Sequence, residues 1–500
     1  MSVDHPDTLS DEGSVRAALR SPRRLRTEIL AGLVVALALI PEAISFSIIA
    51  GVDPRVGLFA SFTMAVTIAF VGGRRAMISA ATGAIALVVA PLARDYGLDY
   101  LIAAVLLAGV LQIALSLLGV AKLMRFIPRS VMTGFVNALA ILIFTAQLPH
   151  LIDVPVLVYP MVAVGLLIMV FLPRYTKVVP APLVAIVLLT AVTVFFALNV
   201  PNVGDEGELP SSLPAWLIPD VPMNMETLSI IAPFALAMAL VGLLESLMTA
   251  KLVDDITDTH SDKTREGWGQ GVANLVTGLF GGMGGCAMIG QTMINVKVSG
   301  ARTRISTFLA GVFLLVLVVG LGDVVALIPM AALVAVMIMV SVGTMDWHSI
   351  APKTLRRMPR SETTVMLATV AVTVLTHNLA YGVVVGVVTA MVLFARRVAH
   401  LTEVVDIAHP DDDTRVYAVR GELFFASSND LVYQFDYVGD PRNVVIDMSD
   451  SHIWDASTVA TLDAITTKYA AKGKNVDIVG LNRASADRHV RLSGQMGADH

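Results

Sequence analysis

Long apolar segments follow one another through most of the chain, from about residue 27 to about residue 400. Many reach the roughly 17–25 residues that a membrane-spanning helix needs. They are continuously apolar, without the ten-residue alternation of a membrane β-barrel. Stretches such as GVFLLVLVVGLGDVVALI are also too rich in apolar residues for a soluble core. The pattern predicts a polytopic α-helical membrane protein.

Fourteen such segments are separated by proline, glycine and charged residues. Their approximate centres are residues 39, 64, 85, 110, 136, 164, 189, 239, 274, 291, 312, 334, 370 and 390. The third and tenth segments are short and interrupted by glycine, so hydropathy alone allows twelve to fourteen spans. Composition agrees with the membrane class: 15% of residues are charged, against about 25% in soluble domains.

Basic residues test the count, because cytoplasmic loops carry an excess of lysine and arginine. With the N-terminus inside, nineteen lie in inner loops and only Arg55 and Arg94 lie in outer loops. The nineteen are Arg74, Arg75, Lys122, Arg125, Arg129, Arg174, Lys177, Lys251, Lys263, Arg265, Lys297, Arg302, Arg304, Lys353, Arg356, Arg357, Arg360, Arg396 and Arg397. This asymmetry requires both short segments to cross the membrane. It predicts fourteen spans and two cytoplasmic termini.

Charge and composition also divide the chain. Residues 1–26 are polar and end in an arginine-rich stretch, which predicts a cytoplasmic N-terminal segment before a transport domain over residues 27–400. Residues 201–226 are acidic, proline-rich and free of lysine and arginine, and they separate the spans into two sets of seven. The predicted localisation is a bacterial-type inner membrane.

Residues 404–500 have a different pattern. Segments 414–427, 443–449 and 475–481 are typical of buried strands. Segments 429–437 and 456–473, and the residues from Arg483 onward, are typical of amphipathic helices. The alternation predicts a small α/β domain. Because the sequence shows neither a phosphate-binding loop nor a metal-ligand cluster, a regulatory or assembly role is expected, not an enzyme with a cofactor or metal.

Two carboxylates lie inside predicted spans, where ionisable groups are costly and mark candidate functional sites. Glu42 follows Pro41 in the first span, and Glu245 lies in the eighth, the first of the second half. They are candidates for equivalent positions in an internal repeat. Burial favours the neutral form of a carboxyl group, so Glu245 could bind and release a proton. Either acid could instead be structural, hydrogen-bonded to nearby backbone.

The third and tenth spans share a pattern. Residues 72–83 read GGRRAMISAATG and residues 284–295 read GGCAMIGQTMIN, each with paired glycines, Ala-Met-Ile and small polar residues. Short, glycine-broken segments at matching places indicate discontinuous helices and a midplane binding site. Their N-terminal ends would face one another near Thr82–Gly83 and Gly290–Thr292, which favours an anion. Alternatively, the glycines only permit close helix packing.

At these residues the chain resembles the SulP (sulfate permease) family of anion transporters. The segment PEAISFSIIAGVDPRVGLFAS is similar to the family's opening signature. Three further segments, MISAATGAIALVVAPL, GLLESLMTAKLVDD and SGARTRIS, resemble later family patterns. The tail, with VVIDMSDSHIWDAST, resembles a STAS domain.

The resemblance implies a uracil-permease-like fold of two inverted seven-helix repeats. Spans 1–4 and 8–11 would form a core domain, and spans 5–7 and 12–14 a gate domain. The family's substrate pocket maps onto Glu42, Phe46, Thr82, Gly83, Gly290, Gln291 and Thr292. Its coupling-ion position maps onto Glu245, with Thr249 one turn further along. Members are commonly homodimers that slide the core past the gate.

Thr292 stands where some members carry an arginine, so the pocket has no fixed cation there. An entering dianion would be repelled by Glu42 and Glu245 unless a proton came with it. This favours proton-coupled symport of a small anion such as sulfate, bicarbonate or a C4-dicarboxylate. Sodium coupling, an uncoupled channel or exchanger, and a membrane-anchored signalling protein are the alternatives. The expected partners are the anion, the coupling ion, the lipid bilayer and a second copy of the chain, not nucleic acid.

Overall fold

A computed structural model describes residues 14–120, 127–175, 180–399, 403–411, 413–428 and 431–493. The chain forms two compact units, Met1–Val387 and Val388–His500. The predicted inner-loop residues Lys122, Arg125 and Lys177 lie outside the described ranges, as do residues 1–13 of the predicted N-terminal segment.

Fourteen helices account for the predicted spans, and each predicted centre lies inside one of them. They are α1 (Pro22–Ala50), α2 (Pro54–Val71), α3 (Gly83–Tyr96), α4 (Leu98–Leu117), α5 (Arg129–Thr145), α6 (Val158–Tyr175), α7 (Ala181–Phe195), α8 (Met225–Thr257), α9 (Lys263–Leu279), α10 (Ile289–Met293), α11 (Arg304–Gly320), α12 (Met330–Thr344), α13 (Arg360–Thr376) and α14 (Leu379–Ala399). A π-helical turn, Ile294–Val298, extends α10. A short helix, Val15–Arg20, precedes α1, and further short helices at Gly322–Ala326, Trp347–Ile350 and Pro352–Arg357 lie between the later ones.

Length and hydropathy support the membrane class. Within the described ranges, seven helices are long and apolar enough to cross a membrane: α1, α2, α4, α5, α6, α8 and α14. Helices α7, α11 and α12 are shorter but also apolar. The longest, α8, has 33 residues and would extend about 50 Å at 1.5 Å per residue.

Helix ends follow local chemistry. Pro22 and Pro54 begin α1 and α2, where the missing proline N–H costs no hydrogen bond. Helix α1 ends at Gly51, which has a φ of 74°, a left-handed conformation that glycine adopts without strain. Asn224 begins α8 by accepting a hydrogen bond from the N–H of Thr227 at 2.8 Å.

The helices pack in two groups. Helices α1, α2, α3, α4, α8, α9 and α11 pack chiefly on one another, with α4 against α9 and α11 against both α1 and α2. Helices α5, α6, α7, α12 and α13 form a second group, in which α13 packs on α5 and α12 on α6. Fewer contacts join the groups, chiefly those of α12 with α1 and of α3 with α5.

Two short strands cross in the first group. Strand β1 (Ser79–Ala80) precedes α3, and β2 (Cys286–Ala287) precedes α10. They pair antiparallel, with Ser79 opposite Ala287 and Ala80 opposite Cys286. The N–H of Met288 continues the pairing by donating to the carbonyl of Ile78 at 2.9 Å. The third and tenth spans are therefore discontinuous, each an extended segment followed by a short helix.

The structure corrects one detail of the predicted repeat. The first Ala-Met-Ile, residues 76–78, lies entirely before β1, whereas the second, residues 287–289, runs from β2 into the first turn of α10. The matching tripeptides therefore do not occupy equivalent positions. What the two spans share is a short extended segment followed by a helix, not the position of the tripeptide.

The C-terminal unit is a small α/β domain, as predicted. Its strands are β3 (Glu403–Asp411), β4 (Thr414–Leu423), β5 (Asn443–Asp447), β6 (Ser451–Ile453) and β7 (Asn475–Val479). The sheet order is β3-β4-β5-β7, and β6 pairs with β4. Strand β3 is antiparallel to β4, and the other pairs are parallel. Helices α15 (Ala456–Ala470) and α16 (Arg483–Leu492) complete the domain.

Two local predictions for this domain were wrong, and two strands were missed. Segment 429–437 was expected to be a helix, but its described part forms only one 3₁₀ turn, Leu431–Gln434. The carboxylate of Asp436 ends it by accepting from the N–H groups of Val438 and Gly439. Residues 425–428 are a short helix instead of strand. Strands β3 and β6 were not predicted.

The buried carboxylate of Asp440 bonds to side chains from two elements of this domain, β4 and α15. Asp440 accepts hydrogen bonds from the hydroxyls of Tyr417 at 2.8 Å and Tyr469 at 2.5 Å. It also pairs with the guanidinium of Arg415 at 3.1 Å. Burial and the Asp440 carboxylate raise the pKa of Tyr417 to about 12. Both tyrosines therefore stay protonated and remain donors at physiological pH.

Replacing Gly285 by alanine should destabilise the strand crossing. A Cβ at this position would lie 2.1 Å from the carbonyl oxygen of Ala80, which is backbone and cannot rotate away. We expect the cost of overpacking to be about 1–3 kcal/mol or more, seen as a lower thermal midpoint of the purified protein. Gly320→Ala is the control, because its Cβ meets nothing within 4 Å. Equal midpoints for the two variants would contradict this account of the crossing.

Replacing Asp440 by asparagine should destabilise the C-terminal domain by about 1–3 kcal/mol, because a buried tyrosine hydroxyl loses its acceptor and Arg415 loses its partner charge. Urea unfolding of the full-length protein, followed by tyrosine fluorescence, measures this. The exposed Asp487→Asn is the control. If the two variants unfold alike, Asp440 does not organise the domain.

Candidate functional site

The strand crossing opens onto a cavity of about 360 Å³. Its lining residues come from six helices and the segments before α3 and α10. They are Glu42, Phe46, Thr82, Gly83, Phe135, Val136, Leu139, Ile143, Glu245, Met248, Met288, Ile289, Gly290, Gln291, Ile294, Val340, Gly343 and Thr344. The cavity thus contains seven of the nine residues expected from the sequence, and it is the candidate functional site.

The starts of two helices face this cavity. Thr82 begins α3, and its hydroxyl accepts from the N–H of Ile85 at 3.4 Å. Met288 precedes α10 and has no side-chain hydrogen bond to the first turn. The first N–H groups of a helix have no partner within it. At Gly83 and Gly290 the absence of a side chain leaves this backbone open toward the cavity.

The two glycines differ in their surroundings. A Cβ on Gly83 would lie 2.9 Å from Cε1 of Phe46 and 3.0 Å from Cδ1 of Ile143. A Cβ on Gly290 would meet nothing within 4 Å. The Phe46 ring therefore packs directly over the first residue of α3, whereas the start of α10 borders open space.

Glu42 lies in the wall of the cavity and is 9% exposed. Pro41 precedes it and has no N–H, so α1 lacks one backbone hydrogen bond at this point. The Pro41 carbonyl accepts from the hydroxyl of Ser45 at 2.8 Å. Gln291, on α10, lines the same cavity as Glu42. The first and tenth spans therefore both contribute polar side chains to it.

Glu245 belongs to a chain of hydrogen bonds that the sequence did not reveal. The thiol of Cys286 donates to Oε2 of Glu245 at 2.9 Å. The same sulfur lies 3.1 Å from the hydroxyl oxygen of Thr82. Cys286 thus connects the carboxylate on α8 with the residue that begins α3. All three side chains are buried.

Thr249 and Thr292 do not line the cavity. The Thr249 hydroxyl donates to the backbone carbonyl of Glu245 at 2.8 Å. The Thr292 hydroxyl accepts from the N–H of Ile78 at 3.0 Å, on the far side of the crossing. Thr249 therefore forms its hydrogen bond within its own helix, whereas Thr292 binds the segment before β1.

Polar side chains around the crossing bind its backbone. Asn274 Oδ1 accepts from the N–H of Gly285 at 2.9 Å, and its amide donates to Gln112 Oε1 at 2.9 Å. The hydroxyl of Ser246 accepts from the N–H of Ala287 at 3.1 Å. These residues lie in otherwise apolar helices, and only their polarity in predicted spans could have singled them out.

The opposite wall is largely apolar, with the hydroxyl of Thr344 as its one polar side chain. It consists of Phe135, Val136, Leu139 and Ile143 on α5, with Val340, Gly343 and Thr344 on α12. These helices belong to the second packing group. The sequence did not indicate these lining residues, because apolar residues in a spanning helix look alike whether they face a cavity, another helix or lipid.

Two discontinuous helices that meet at a cavity inside a helical bundle define a secondary-transporter type of fold. Residues 25–159 and 154–369 match the sulfate permease family, and residues 405–494 match the STAS domain. The chain therefore belongs to the sulfate permease family, a family of anion transporters, and it is a membrane protein. The resemblance seen in the sequence is confirmed.

Similar proteins and structures agree with this assignment. The chain is 54% identical to the "Putative sulfate transporter YbaR" of Bacillus subtilis, over 92% of this chain and 95% of that protein. The transmembrane domain of a cyanobacterial bicarbonate transporter, BicA, matches with a TM-score of 0.65 and 26% identity, over 72% of this chain and 97% of that one. Murine Slc26a9, an anion transporter, matches with a TM-score of 0.81 at 16% identity, over 98% and 92%. The last likeness concerns the fold alone.

Replacing Cys286 by alanine should destabilise the protein by about 1–3 kcal/mol, because the buried Glu245 carboxylate loses a donor. Cys286→Ser keeps a donor of similar size and should lose less. Thermal unfolding of the two variants in detergent gives the comparison. If alanine is tolerated as well as serine, the thiol contributes packing but no significant hydrogen bond.

Proposed function

We propose that this protein is a secondary active transporter, not an enzyme, that moves a small anion together with a proton by alternating access. The observation that supports this most directly is the shared cavity. Two helix starts, which attract negative charge, and two carboxyl groups, which can carry a proton, all border the same space. Such an arrangement can hold an anion and a proton at the same time.

The anion would bind through backbone dipoles. No lysine or arginine is among the lining residues, so the positive ends of α3 and α10 supply the attraction. The cavity volume of about 360 Å³ lies near the lower end of the roughly 300–1,000 Å³ of small-molecule sites. Glu42, Phe46, Thr82, Gly83, Gly290 and Gln291 would contact the anion directly. Thr292 would act one layer behind, by holding the segment before β1.

Electrostatic repulsion in the cavity is the reason to expect that a proton accompanies the anion. An anion that enters beside Glu42 and Glu245 is repelled while both are ionised, and the repulsion is strong where water is scarce. A proton on Glu245 removes one of these charges. The Cys286 thiol donates to Glu245 when the carboxyl group is ionised, and it also lies beside Thr82 at the anion site. Proton binding and anion binding would then favour each other.

Transport would use the two packing groups. We assign α1–α4 and α8–α11 as the core and α5–α7 and α12–α14 as the gate. The core carries the charged and polar wall of the cavity, and the gate carries the apolar wall. An apolar gate surface makes no specific hydrogen bonds with the core, so the core could slide past it and expose the site to either side.

Sulfate, bicarbonate and C4-dicarboxylates are the candidate anions. The name of YbaR favours sulfate, and the name of BicA favours bicarbonate. Sodium coupling, with Glu245 and Thr249 as ligands, is the chief alternative. The Thr249 hydroxyl donates its hydrogen within the helix and could still offer an oxygen. We further propose an inner-membrane homodimer with cytoplasmic termini and a regulatory or assembly role for the STAS domain.

Liposome uptake tests coupling. Purified protein is reconstituted, and uptake of labelled sulfate and of labelled bicarbonate is followed with an inward proton gradient, with an inward sodium gradient, or with neither. We expect accumulation only with the proton gradient. Accumulation driven by sodium, or uptake with a conductance that does not depend on pH, would overturn the proton-symport proposal.

Replacing Glu245 by glutamine should lower proton-driven uptake by about tenfold or more, a typical size for the coupling of two binding sites, because an amide cannot release a proton. Glu226→Gln is the matched control, since Glu226 is exposed at the start of the same helix. Full proton-driven uptake by the Glu245 variant would exclude this residue as the proton carrier.

A further inference from the structure

A second cavity, of about 310 Å³, lies at the ends of helices in the first packing group. It is separate from the candidate transport site, with which it shares no residue. Its lining comes from the segment before β1, the connection from α8 to α9, and the start of α11. The lining residues are Gly73, Arg74, Arg75, Thr257, Thr259, His260, Asp262, Arg265, Arg302 and Arg304. We call this cavity the basic pocket.

Positive charge dominates the basic pocket. Five arginines line it, and Lys263 lies beside it, paired with Asp254 at 2.5 Å. The carboxylates that line the pocket or bond to its residues are Asp254, Asp262, Glu266 and Glu28, the last of which accepts from the backbone N–H of Arg302 at 2.8 Å, so six cations face four carboxylates. Glu266 accepts from the backbone N–H groups of Gly73 and Arg74, both at 2.8 Å, and so bonds to backbone in place of an arginine side chain.

Three of the arginines are held in place by backbone carbonyl groups. Arg265 and Arg304 donate to carbonyl groups at the end of α2, including Val71 at 3.1 Å and Ala69 at 3.1 Å. Arg302 donates to the carbonyl of Val296 at 2.7 Å. Carbonyl groups position a guanidinium but carry no net charge to cancel its own. Among the described residues, Arg75, Arg265, Arg302 and Arg304 form no salt bridge.

Arg74 provides a second, independent observation in favour of an anion in the basic pocket. Its side chain is only 9% exposed, and it donates to Asp254 at 3.0 Å and to the hydroxyls of Thr259 and Thr257. Its Nε is buried and, within the described part of the chain, has no hydrogen-bond partner. Burial lowers the pKa of Arg74, and the nearby charges of Arg75 and Arg302 lower it further, against the opposing effect of Asp254. Such crowding of like charges is costly unless an anion is bound among them.

We propose that the basic pocket is a second anion site that binds a phosphate group, through Arg74, Arg75, Arg265, Arg302 and Arg304. Planar guanidinium groups match the oxygens of a tetrahedral phosphate and bind it with paired hydrogen bonds. Three of the loops expected on the cytoplasmic side from their basic residues meet here. The phosphate therefore belongs either to an anionic lipid of the inner leaflet or to a soluble phosphate compound in the cytoplasm.

Such a ligand would connect the segment before β1 with the segment that follows α10. Residues 73–75 continue into β1, and Arg302 and Arg304 follow the π-helical turn after α10. A phosphate held between them would stabilise the core without entering the transport cavity. Its binding should consequently be measurable in the absence of any transport.

Thermal unfolding of the full-length protein tests the proposal with two probes. The first is inorganic phosphate added to protein in uncharged detergent. The second is a nanodisc of phosphatidylcholine with or without phosphatidylglycerol. We expect at least one probe to raise the unfolding midpoint by about 2 °C or more. A shift with phosphate indicates a soluble ligand, and a shift with phosphatidylglycerol alone indicates a lipid headgroup.

Arg75→Gln should abolish most of the shift, because it removes one of the five guanidinium groups proposed to bind the phosphate. Arg75 is exposed and makes no described hydrogen bond or salt bridge, so the substitution should leave the fold intact. Arg75→Lys should retain much of it, and Arg356→Gln, on another predicted inner loop, should retain all of it. If Arg75→Gln does not fold, Arg265→Gln serves instead.

Three results would overturn the proposal. One is the absence of a shift with either probe. Another is equal loss of the shift in Arg75→Gln and Arg356→Gln, which indicates only general attraction between charges. The third is a shift that survives Arg75→Gln but disappears in Glu245→Gln, which places the phosphate in the transport cavity. None of these results bears on whether uptake is driven by protons, so the two proposals fail separately.

Discussion

Backbone N–H and C=O groups that leave a helix inside a membrane find no water, so each needs a partner within the protein. The antiparallel pairing of β1 and β2 meets that requirement for both discontinuous spans at once. Because each strand is the other's partner, neither helix start can be placed without the other. The position of the proposed anion site, the place of Glu42 and Glu245 beside it, and the packing of the surrounding helices all depend on this one crossing.

The side chains nearest the crossing are polar, small or absent for the same reason. Ser246 and Asn274 provide hydrogen bonds that strands of two residues cannot provide for themselves. Gly285 has no side chain because the backbone of Ala80 passes too close for one. This wall is held by hydrogen bonds to the backbone of the crossing. The facing residues on α5 and α12 are mostly apolar, and a hydrogen bond from the Ser341 hydroxyl to the Ala140 carbonyl at 2.8 Å joins these two helices to each other.

Much of this arrangement could be predicted from the sequence. Apolar length and basic loops predicted a helix at each of the fourteen spans but not the short helices outside them, and the glycines around residues 72–83 and 284–295 predicted the broken spans. The reasons were physical, since lipid excludes charge and glycine permits extended backbone. The shared Ala-Met-Ile lies at different positions relative to β1 and β2, so it did not mark equivalent residues. The sequence could not show that Cys286 contacts Glu245, because that contact depends on strand register. Nor could it show that Arg74, Arg265 and Arg302, distant along the chain, meet in one pocket.

The hydrogen bond from Cys286 to Glu245 has a practical consequence. The chain contains a single cysteine, so the infrared band of its S–H stretch has one source and needs no isotope labelling to assign. That band moves to lower frequency as the acceptor becomes more negative. The frequency of one buried bond would then report the charge on Glu245 while anions and protons are exchanged, without any probe attached to the protein.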